Sequence, residues 1–321
     1  MRFAQIRGFK RPVQLFCAAL LIFFVIRYLN SQWEQVRQTP VVIDWGLLAV
    51  AQFGMTLGLG MLPWGSWLAL KYLGHVRPAA EVWRIFFISN LAKYLPGSVW
   101  ALPGRAFLYQ RSGVPAGKSI AAVFWEVLLM IMTTSALALL SIPLIAHYVD
   151  ARVLAVGILL GVIGTIGGGF LLHSSAFRRW LPAAIQVRFF RPDIGQMALS
   201  VSQIAKMILA YLLSWSVIGL SFAAMMASLS PNLSVLRWAE LAGLYCGTWL
   251  IGFLAFFAPG GIGVRDVLIA LGLSVFLGDP LPLVAAVIAR IMWTLAEISG
   301  VILTLSYKHL FSPPQKAPIL S

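Results

Sequence analysis

The chain has 321 residues, of which 60% are hydrophobic and only 11% are charged. Soluble domains carry about 25% charged residues, so this composition, with a mean hydropathy of +0.89, excludes a soluble protein and indicates an integral membrane protein. Lys and Arg outnumber Asp and Glu by 24 to 10. No zinc-ligand spacing, recognition helix or basic-aromatic repeat accompanies this excess, so we expect no nucleic-acid partner. We assign the bases instead to loops that orient the chain and attract anionic lipid headgroups.

The sequence offers no set of residues for a metal or a cofactor. Its two cysteines, Cys17 and Cys246, each lie inside an apolar run, which predicts neither a disulfide nor a metal site. The four histidines fall at predicted helix ends or in loops, and there is no Ser-His-Asp set and no nucleotide motif. We therefore predict no metal, no cofactor and no catalytic residue.

The first half of the chain is predicted to hold three membrane spans. The first span resembles a signal sequence, but Arg27-Tyr28-Leu29 stands where a small-residue cleavage site is needed, so we expect the span to be retained. The second contains Gly54, Gly58 and Gly60, which allow helices to approach closely. An amphipathic or half-inserted helix at residues 81–92 follows it. The predicted spans are residues 13–29, 43–70 and 119–146.

Residues 93–105, with the sequence KYLPGSVWALPGR, interrupt this apolar half. Proline lacks an amide hydrogen and clashes with the preceding helical turn, so we expect no helix to run through both Pro96-Gly97 and Pro103-Gly104. Lys93 and Arg105 flank these pairs. Broken backbone and charge at membrane depth are tolerated only where they are buried in protein or line a watery cavity.

The second half follows the same order. Spans are predicted at residues 153–172, 197–229 and 283–307, and an apolar segment at 236–257 leads into a second interruption. This interruption is APGGIGVRD, residues 258–266, in which Pro259 and three glycines break the helix. A short helix at 264–277 follows it. The last span contains Arg290 and Glu297.

The distribution of bases predicts the orientation of the chain. The amino terminus, the loop after residue 70, the 111–118 link, the loop at 173–196 and the tail are base-rich, whereas the links at 30–42, 147–152 and 230–235 are base-poor. Basic loops face the cytoplasm, so both termini are expected there, in the cytoplasmic membrane. The stretch at 93–105 then enters from the cytoplasmic side and that at 258–266 from the outside.

These elements predict an all-α polytopic membrane protein with about six full spans and two broken re-entrant hairpins. We expect one transmembrane domain, residues 1–321, with a first repeat half at 1–150, a second half at 151–308 and a short cytoplasmic tail at 309–321. Three crossings in each half invert the second half relative to the first. If both hairpins cross the membrane fully, the chain has about ten segments and the inversion argument changes.

Two motifs resemble a known family. The pattern N-x-x-K-Y-L-P-G-x-x-W runs from Asn90 to Trp100 and continues to Gly104-Arg105 and to Glu126, and the pattern A-P-G-G-x-G-x-R-[DE] ends at Asp266. Together they resemble the membrane domain of bacterial lysylphosphatidylglycerol synthetases and its stand-alone, flippase-like relatives. The resemblance covers nearly the whole chain. It implies an integral domain with inverted repeats and re-entrant helices that moves aminoacylated phosphatidylglycerol or related lipids between leaflets.

The chain departs from the full synthetases at its carboxy terminus. In that family a soluble domain transfers an amino acid from charged tRNA to the lipid, whereas only fourteen residues follow Tyr307 here. We therefore expect no synthase activity from the chain itself. Asp266 also stands where many relatives carry Glu, a change that keeps the charge.

The broken helices are predicted to form an anion site. Amides without partners and the positive end of a helix dipole attract anions, and the arginine fork suits a phosphodiester. We expect Arg105 and Arg265, one from each half, to hold a lipid phosphate, while Lys93 attracts it from the cytoplasmic side. In the alternative, both arginines only pair with Glu126, Asp266 or Glu297. The glycines expected to let backbone approach the ligand are Gly104, Gly260, Gly261 and Gly263.

Buried carboxylates form a second set of predicted functional residues. A carboxylate within a span suggests proton coupling or a cationic headgroup. We assign Glu126, Asp266 and Glu297, together with the base Arg290, to translocation or coupling. Structural pairing is the alternative, and it is favoured for Glu297 because Arg290 lies seven residues earlier on the same helix face.

The first function hypothesis is a lipid transporter, or flippase, that moves an anionic, aminoacylated or polyprenyl-phosphate-linked lipid. Without a nucleotide motif, its energy is expected to come from a gradient or an ion. The alternative is a membrane subunit of a lipid-modifying enzyme that transfers a glycosyl or aminoacyl group with a separate soluble transferase. A purely structural scaffold is a third hypothesis. Self-association into a homo-oligomer is left open.

Overall fold

The computed structural model describes residues 43–94, 100–142, 199–255, 258–275, 277–278 and 280–306. These residues form helices joined by turns and short irregular segments and contain no strand, which confirms the all-α class. The spans predicted at 13–29 and 153–172, together with Pro96, Gly97 and the tail, lie outside the described residues. The helices are α1 Trp45–Tyr72, α2 Ala79–Leu91, α3 Ala101–Arg111, α4 Ala116–Ala138, α5 Val201–Leu229, α6 Trp238–Leu254, α7 Val264–Ser274 and α8 Leu281–Ser306.

Four helical segments in the described part of the chain are long and apolar enough to cross a membrane. They are α1 (28 residues), Ala116–Ser141 (26), α5 (29) and α8 (26). Each lies where a span was predicted, so the membrane-protein class is confirmed. By contrast α6 has 17 residues, fewer than the roughly 20 that a span needs, as expected for the first arm of a broken hairpin. The total number of spans stays a prediction.

The central contact of the fold is between α1 and α5, and it depends on small residues. A carbon added at Gly58 would lie 3.0 Å from the Ser214 carbonyl oxygen, and one added at Gly54 would collide with Ser221. These glycines let the two backbones approach closely, as small residues do between membrane helices. For Gly60, predicted to act in the same way, no atom of the described residues lies within 4 Å of such a carbon, so its part stays a prediction.

The remaining helices pack in matched pairs around α1 and α5. α1 and α2 pack on α8, while α5 and α6 pack on α4. Within each half the short helix lies between its neighbours, with α3 against α2 and α4 and α7 against α6 and α8. Each of these contacts between described helices therefore has a counterpart in the other half. The inverted repeat stays a prediction, and this reciprocal packing supports it.

The second break, residues 255–263 between α6 and α7, is as predicted. Gly260, Gly261 and Gly263 have φ values of 60°, 68° and 85°, the left-handed region that glycine enters without steric cost. The Gly263 amide donates to Asp266 Oδ2 at 3.0 Å, which caps the start of α7. Three departures from helical geometry within four residues thus interrupt the helix at this point.

The first break, residues 92–100 between α2 and α3, is shorter than predicted. α2 is followed by a single 3-10 turn, Ala92–Tyr94, and α3 begins at Ala101. Pro103 and Gly104 therefore lie within the first turn of α3, where the Gly104 amide donates to the Trp100 carbonyl at 2.9 Å. Pro103 thus stands at the start of a new helix, where it is tolerated because a first-turn proline gives up only an amide that has no helical partner.

Candidate functional site

A cavity of about 350 Å³ lies between the two halves, beside both breaks. Most of its lining is apolar, but it also contains several of the charged residues singled out from the sequence. The predicted site residues that line it are Lys93, Arg105, Glu126, Gly260, Gly261 and Arg265. The structure thus brings Arg105 of the first half and Arg265 of the second to one cavity. Gly104 and Gly263 are not among its lining residues.

Arg105 is fully engaged by neighbouring protein groups. Its guanidinium forms an ion pair with Glu126, and both side chains are only 2% exposed. Nε donates to Ser89 Oγ at 2.9 Å and Nη2 donates to Asn90 Oδ1 at 2.7 Å. The ring of Phe86 covers the guanidinium at 4.0 Å. The structural pairing held as the alternative is therefore the arrangement seen for this arginine.

Glu126 has a second partner besides Arg105. Ser66 Oγ, on α1, donates to Glu126 Oε2 at 2.6 Å. The carboxylate thus joins α1, α3 and α4, since Arg105 lies on α3 and Glu126 on α4. A buried carboxylate is retained in its charged form only with such compensation.

Glu297 connects the first break with α8. Lys93 forms an ion pair with it, the Tyr94 hydroxyl donates to Oε2 at 2.6 Å, and Trp293 Nε1 donates to Oε1 at 2.9 Å. The predicted partner Arg290 does not take part. Seven residues correspond to about 10 Å along a helix, which is too far for a direct pair even on one face. Lys93, expected to attract lipid from the cytoplasmic side, is held by this carboxylate.

Arg290 instead holds the second break. Its Nε and Nη2 donate to the two carboxylate oxygens of Asp266 at 3.0 and 2.9 Å. Its Nη1 and Nη2 also donate to the carbonyl oxygens of Gly260 and Gly261 at 3.3 and 3.2 Å. The fork of a single arginine thus ties α8 to the left-handed turn and to the first turn of α7, where it fixes the backbone beside the cavity.

Arg265 differs from the other charged residues at the cavity. It is 4% exposed, and its guanidinium donates to the Tyr245 hydroxyl. It lies over the rings of Tyr245 and Trp293 at 4.5 and 4.6 Å. Within the described residues no carboxylate lies within ion-pair distance of it. Arg265 is thus a buried cation with aromatic and hydroxyl contacts but without a counterion.

The charges around the cavity do not balance. Four buried or half-buried bases face three carboxylates, and each carboxylate is paired with one base. Among the residues that the structure describes at the site, one positive charge is left over, and Arg265 carries it. The four bases are Lys93, Arg105, Arg265 and Arg290, and the three carboxylates are Glu126, Asp266 and Glu297.

Several residues at the site escaped the sequence-based predictions. Asn90 and Tyr94 belong to the first motif, which was a usable signal for them. Trp293 stands four residues before Glu297, so it lies on the same helix face. Nothing in the sequence marked Ser66 or Tyr245, because both lie in continuous apolar helices far along the chain from their partners.

One comparison with known proteins identifies the family. The family model for the lysylphosphatidylglycerol synthase TM region matches residues 13–303, a stretch that includes both breaks and every residue at the cavity. No curated protein matches the chain. The resemblance carried by the two motifs is therefore confirmed. The chain belongs to the lysylphosphatidylglycerol synthase transmembrane region family, whose members are membrane proteins of lipid metabolism.

Proposed function

We propose that the protein is a lipid transporter that moves a phosphate-bearing lipid across the cytoplasmic membrane. The headgroup passes through the cavity between the two breaks, while the acyl chains stay in the bilayer. The observation that carries this proposal is Arg265, a buried cation that lines the cavity and has no carboxylate partner in the described part of the chain.

An unpaired buried charge is costly. Leaving a buried cation without its counterion typically costs about 3–5 kcal/mol. A ligand phosphate would remove that cost for Arg265, because the guanidinium fork matches two phosphate oxygens. The fold supports this use, since Gly252 leaves room for Arg265: a carbon added at Gly252 would lie 3.1 Å from Arg265 Cβ.

The two arginines then have different roles. Arg265 binds the phosphate, whereas Arg105 holds Glu126 and keeps α3 against α4 and α2. Lys93 lines the cavity but shares its charge with Glu297. Lys93 therefore contributes to the positive potential and joins the two halves rather than acting as the main phosphate contact.

Movement of the headgroup requires rearrangement of the paired charges. Lys93 and Tyr94 of the first break contact Glu297 on α8, and Gly260 of the second break packs against the Tyr94 ring. The two breaks thus meet at the wall of the cavity. We assign coupling to Glu297, whose ion pair with Lys93 would open and close as the headgroup passes.

Reconstitution tests the proposal. Purified protein is placed in liposomes that contain fluorescently labelled phosphatidylglycerol, and a membrane-impermeant reductant bleaches label in the outer leaflet. Wild type is expected to expose the inner-leaflet label to bleaching. Arg265→Gln is expected to slow that exposure at least about tenfold, the equivalent of about 1.4 kcal/mol.

The matched control is Lys206→Gln. Lys206 is an exposed residue on α5 that does not line the cavity, so its substitution removes the same charge without touching the site. It is expected to transport like wild type. Transport by Arg265→Gln at the wild-type rate would refute the phosphate role of Arg265.

The alternative function uses the same cavity. A membrane subunit of a lipid-modifying enzyme would hold the lipid there for a separate soluble transferase. If the purified protein alone exposes inner-leaflet lipid to bleaching and leaves the lipid chemically unchanged, transport is favoured. Chemical modification of the lipid only when a soluble transferase is added, with no exposure by the protein alone, favours the subunit.

A further inference from the structure

We infer that the cavity selects a headgroup of net negative charge and rejects one of net positive charge, such as a lysyl ester of phosphatidylglycerol. This inference rests on the proposed function, because it describes which lipid the cavity would accept. It narrows the substrate to an anionic phosphodiester lipid. The observations that carry it are the partners of the three carboxylates and the use of the aromatic faces around Arg265.

In the described part of the chain, no carboxylate at the site is free to receive a ligand cation. Glu126 pairs with the Arg105 guanidinium and accepts a hydrogen bond from the Ser66 hydroxyl. Glu297 pairs with Lys93 and accepts hydrogen bonds from Tyr94 and Trp293. Asp266 accepts two hydrogen bonds from Arg290 and one from the Gly263 amide. Each carboxylate thus has at least two donors from the protein, so a ligand ammonium would have to displace one of them.

The aromatic rings near Arg265 are also occupied. Arg265 lies over Tyr245 and Trp293, and Lys93 lies 5.5 Å from the centre of the Trp293 ring. Trp249, which lines the cavity, stacks against Phe253 with ring centres 5.2 Å apart. A ring already beside a cation is repulsive to a second one. The cluster therefore lacks the open aromatic cage that binds ligand ammonium groups.

The remaining charge decides the sign of the preferred ligand. Arg265 leaves one positive charge beside an apolar cavity, where water and salt screen little. A lipid phosphate neutralises it. A lysyl ester also brings a phosphate, but its two ammonium groups outweigh that single negative charge. The headgroup as a whole is then repelled, and its ammonium groups find no partner.

Binding of three short-chain lipids tests this inference. The three are dihexanoyl phospholipids. The one with a glycerol headgroup is net negative, the one with choline is neutral, and the one with lysyl-glycerol is net positive. They are titrated calorimetrically into the full chain in nonionic detergent with about 0.5 M salt, so that attraction to the basic surface is screened. Wild type is expected to bind the glycerol lipid at least about tenfold more tightly than the lysyl-glycerol lipid.

Two variants locate the preference at the cavity. Arg265→Gln is expected to abolish the preference for the negative headgroup. The dissociation constants of the glycerol and lysyl-glycerol lipids then become about equal, whereas in wild type they differ by about tenfold or more. Arg265→Lys keeps the positive charge, so it is expected to retain the preference with weaker binding. This variant tests the inference if Arg265→Gln does not fold. Lys206→Gln, with the same loss of charge at an exposed site, is expected to match wild type.

The outcomes separate this inference from the proposed function. Equal binding of all three headgroups, tighter binding of the lysyl-glycerol lipid, or an unchanged preference in Arg265→Gln overturns the inference, whatever the liposome assay gives. A wild-type preference for the negative headgroup that Arg265→Gln abolishes supports it. If that preference is present while wild-type liposomes move no lipid, the proposed transport fails and the headgroup selectivity stands.

Discussion

The two arginines of the cavity show how environment assigns different roles to the same side chain. Arg105 has a carboxylate, a hydroxyl and an amide oxygen within contact distance. Arg265 has one hydroxyl and two aromatic faces. The first set satisfies a guanidinium, and the second stabilises its position but does not neutralise it. The ligand-binding role therefore goes to Arg265, and the structural role to Arg105.

The structural role of Arg105 makes a prediction about stability. Glu126→Gln leaves Arg105 buried without a counterion, and we expect it to lower the free energy of unfolding by about 3 kcal/mol. The double variant Arg105→Gln/Glu126→Gln removes both charges and is expected to recover part of that loss. Thermal unfolding of the purified protein in detergent measures both. A Glu126→Gln protein as stable as wild type would contradict the pairing.

The sequence indicated which charged residues matter but not how they pair. Lys93, Arg105, Glu126 and Glu297 stood out because charge is costly in an apolar segment. Their partners depend on distances through space. Arg290 and Glu297 share a helix face and do not meet, whereas Arg290 and Asp266, separated by the turn between α7 and α8, form a two-armed pair.

At the scale of the helices, the described glycines of the two motifs differ in their backbone. The second break has left-handed backbone at three glycines, whereas Gly104 of the first motif lies within the first turn of α3. The sequence predicted both breaks because Pro-Gly pairs stand in apolar surroundings. It could not decide which pair ends a helix, since proline is also well tolerated in the first turn of a new one.

This difference predicts opposite results for two glycine substitutions. Gly261→Ala places a side chain at φ 68° and 3.2 Å from the Gly252 carbonyl oxygen. Left-handed backbone costs about 1–2 kcal/mol for a residue with a side chain, so we expect lower stability and slower lipid transport. Thermal unfolding and the liposome assay measure the two effects.

Gly104→Ala is the matched control. An added carbon at Gly104 meets no atom within 4 Å, and alanine favours a helix more than glycine by up to about 1 kcal/mol. Stability is expected to be unchanged or higher, with transport unaffected. A loss of transport in Gly104→Ala, with Gly261→Ala unaffected, would assign the ligand contact to the start of α3.

At the scale of the whole molecule, the prediction is the orientation of the chain. We expect the 230–235 link outside and the 111–118 link in the cytoplasm, because only the second carries bases. Asn232→Cys and Ala116→Cys both place a thiol at an exposed position. In a background with Cys17→Ser and Cys246→Ser, a membrane-impermeant maleimide should label the first in intact cells and the second only after permeabilisation. The reverse pattern would invert the orientation.

The inverted repeat could be predicted in outline but not in its asymmetry. Matched spans, breaks and closing glutamates suggested two related halves, and the reciprocal packing of α1–α4 and α5–α8 supports this. The charges do not follow the repeat. Glu126 pairs within its own half, whereas Glu297 reaches across to Lys93 of the other. No sequence pattern indicated that Glu297 would pair with the other half. This pairing leaves Arg265 without an ion pair among the described residues.

The most direct measurement is an experimental structure of the full chain with saturating short-chain phosphatidylglycerol. We expect the lipid phosphate in the cavity, with oxygens at about 2.7–2.9 Å from the Arg265 guanidinium, while Arg105 keeps its pair with Glu126. A phosphate bound at Arg105 instead, or lipid only on the outer surface of the helices with nothing beside Arg265, would contradict the assignment of Arg265 as the headgroup site.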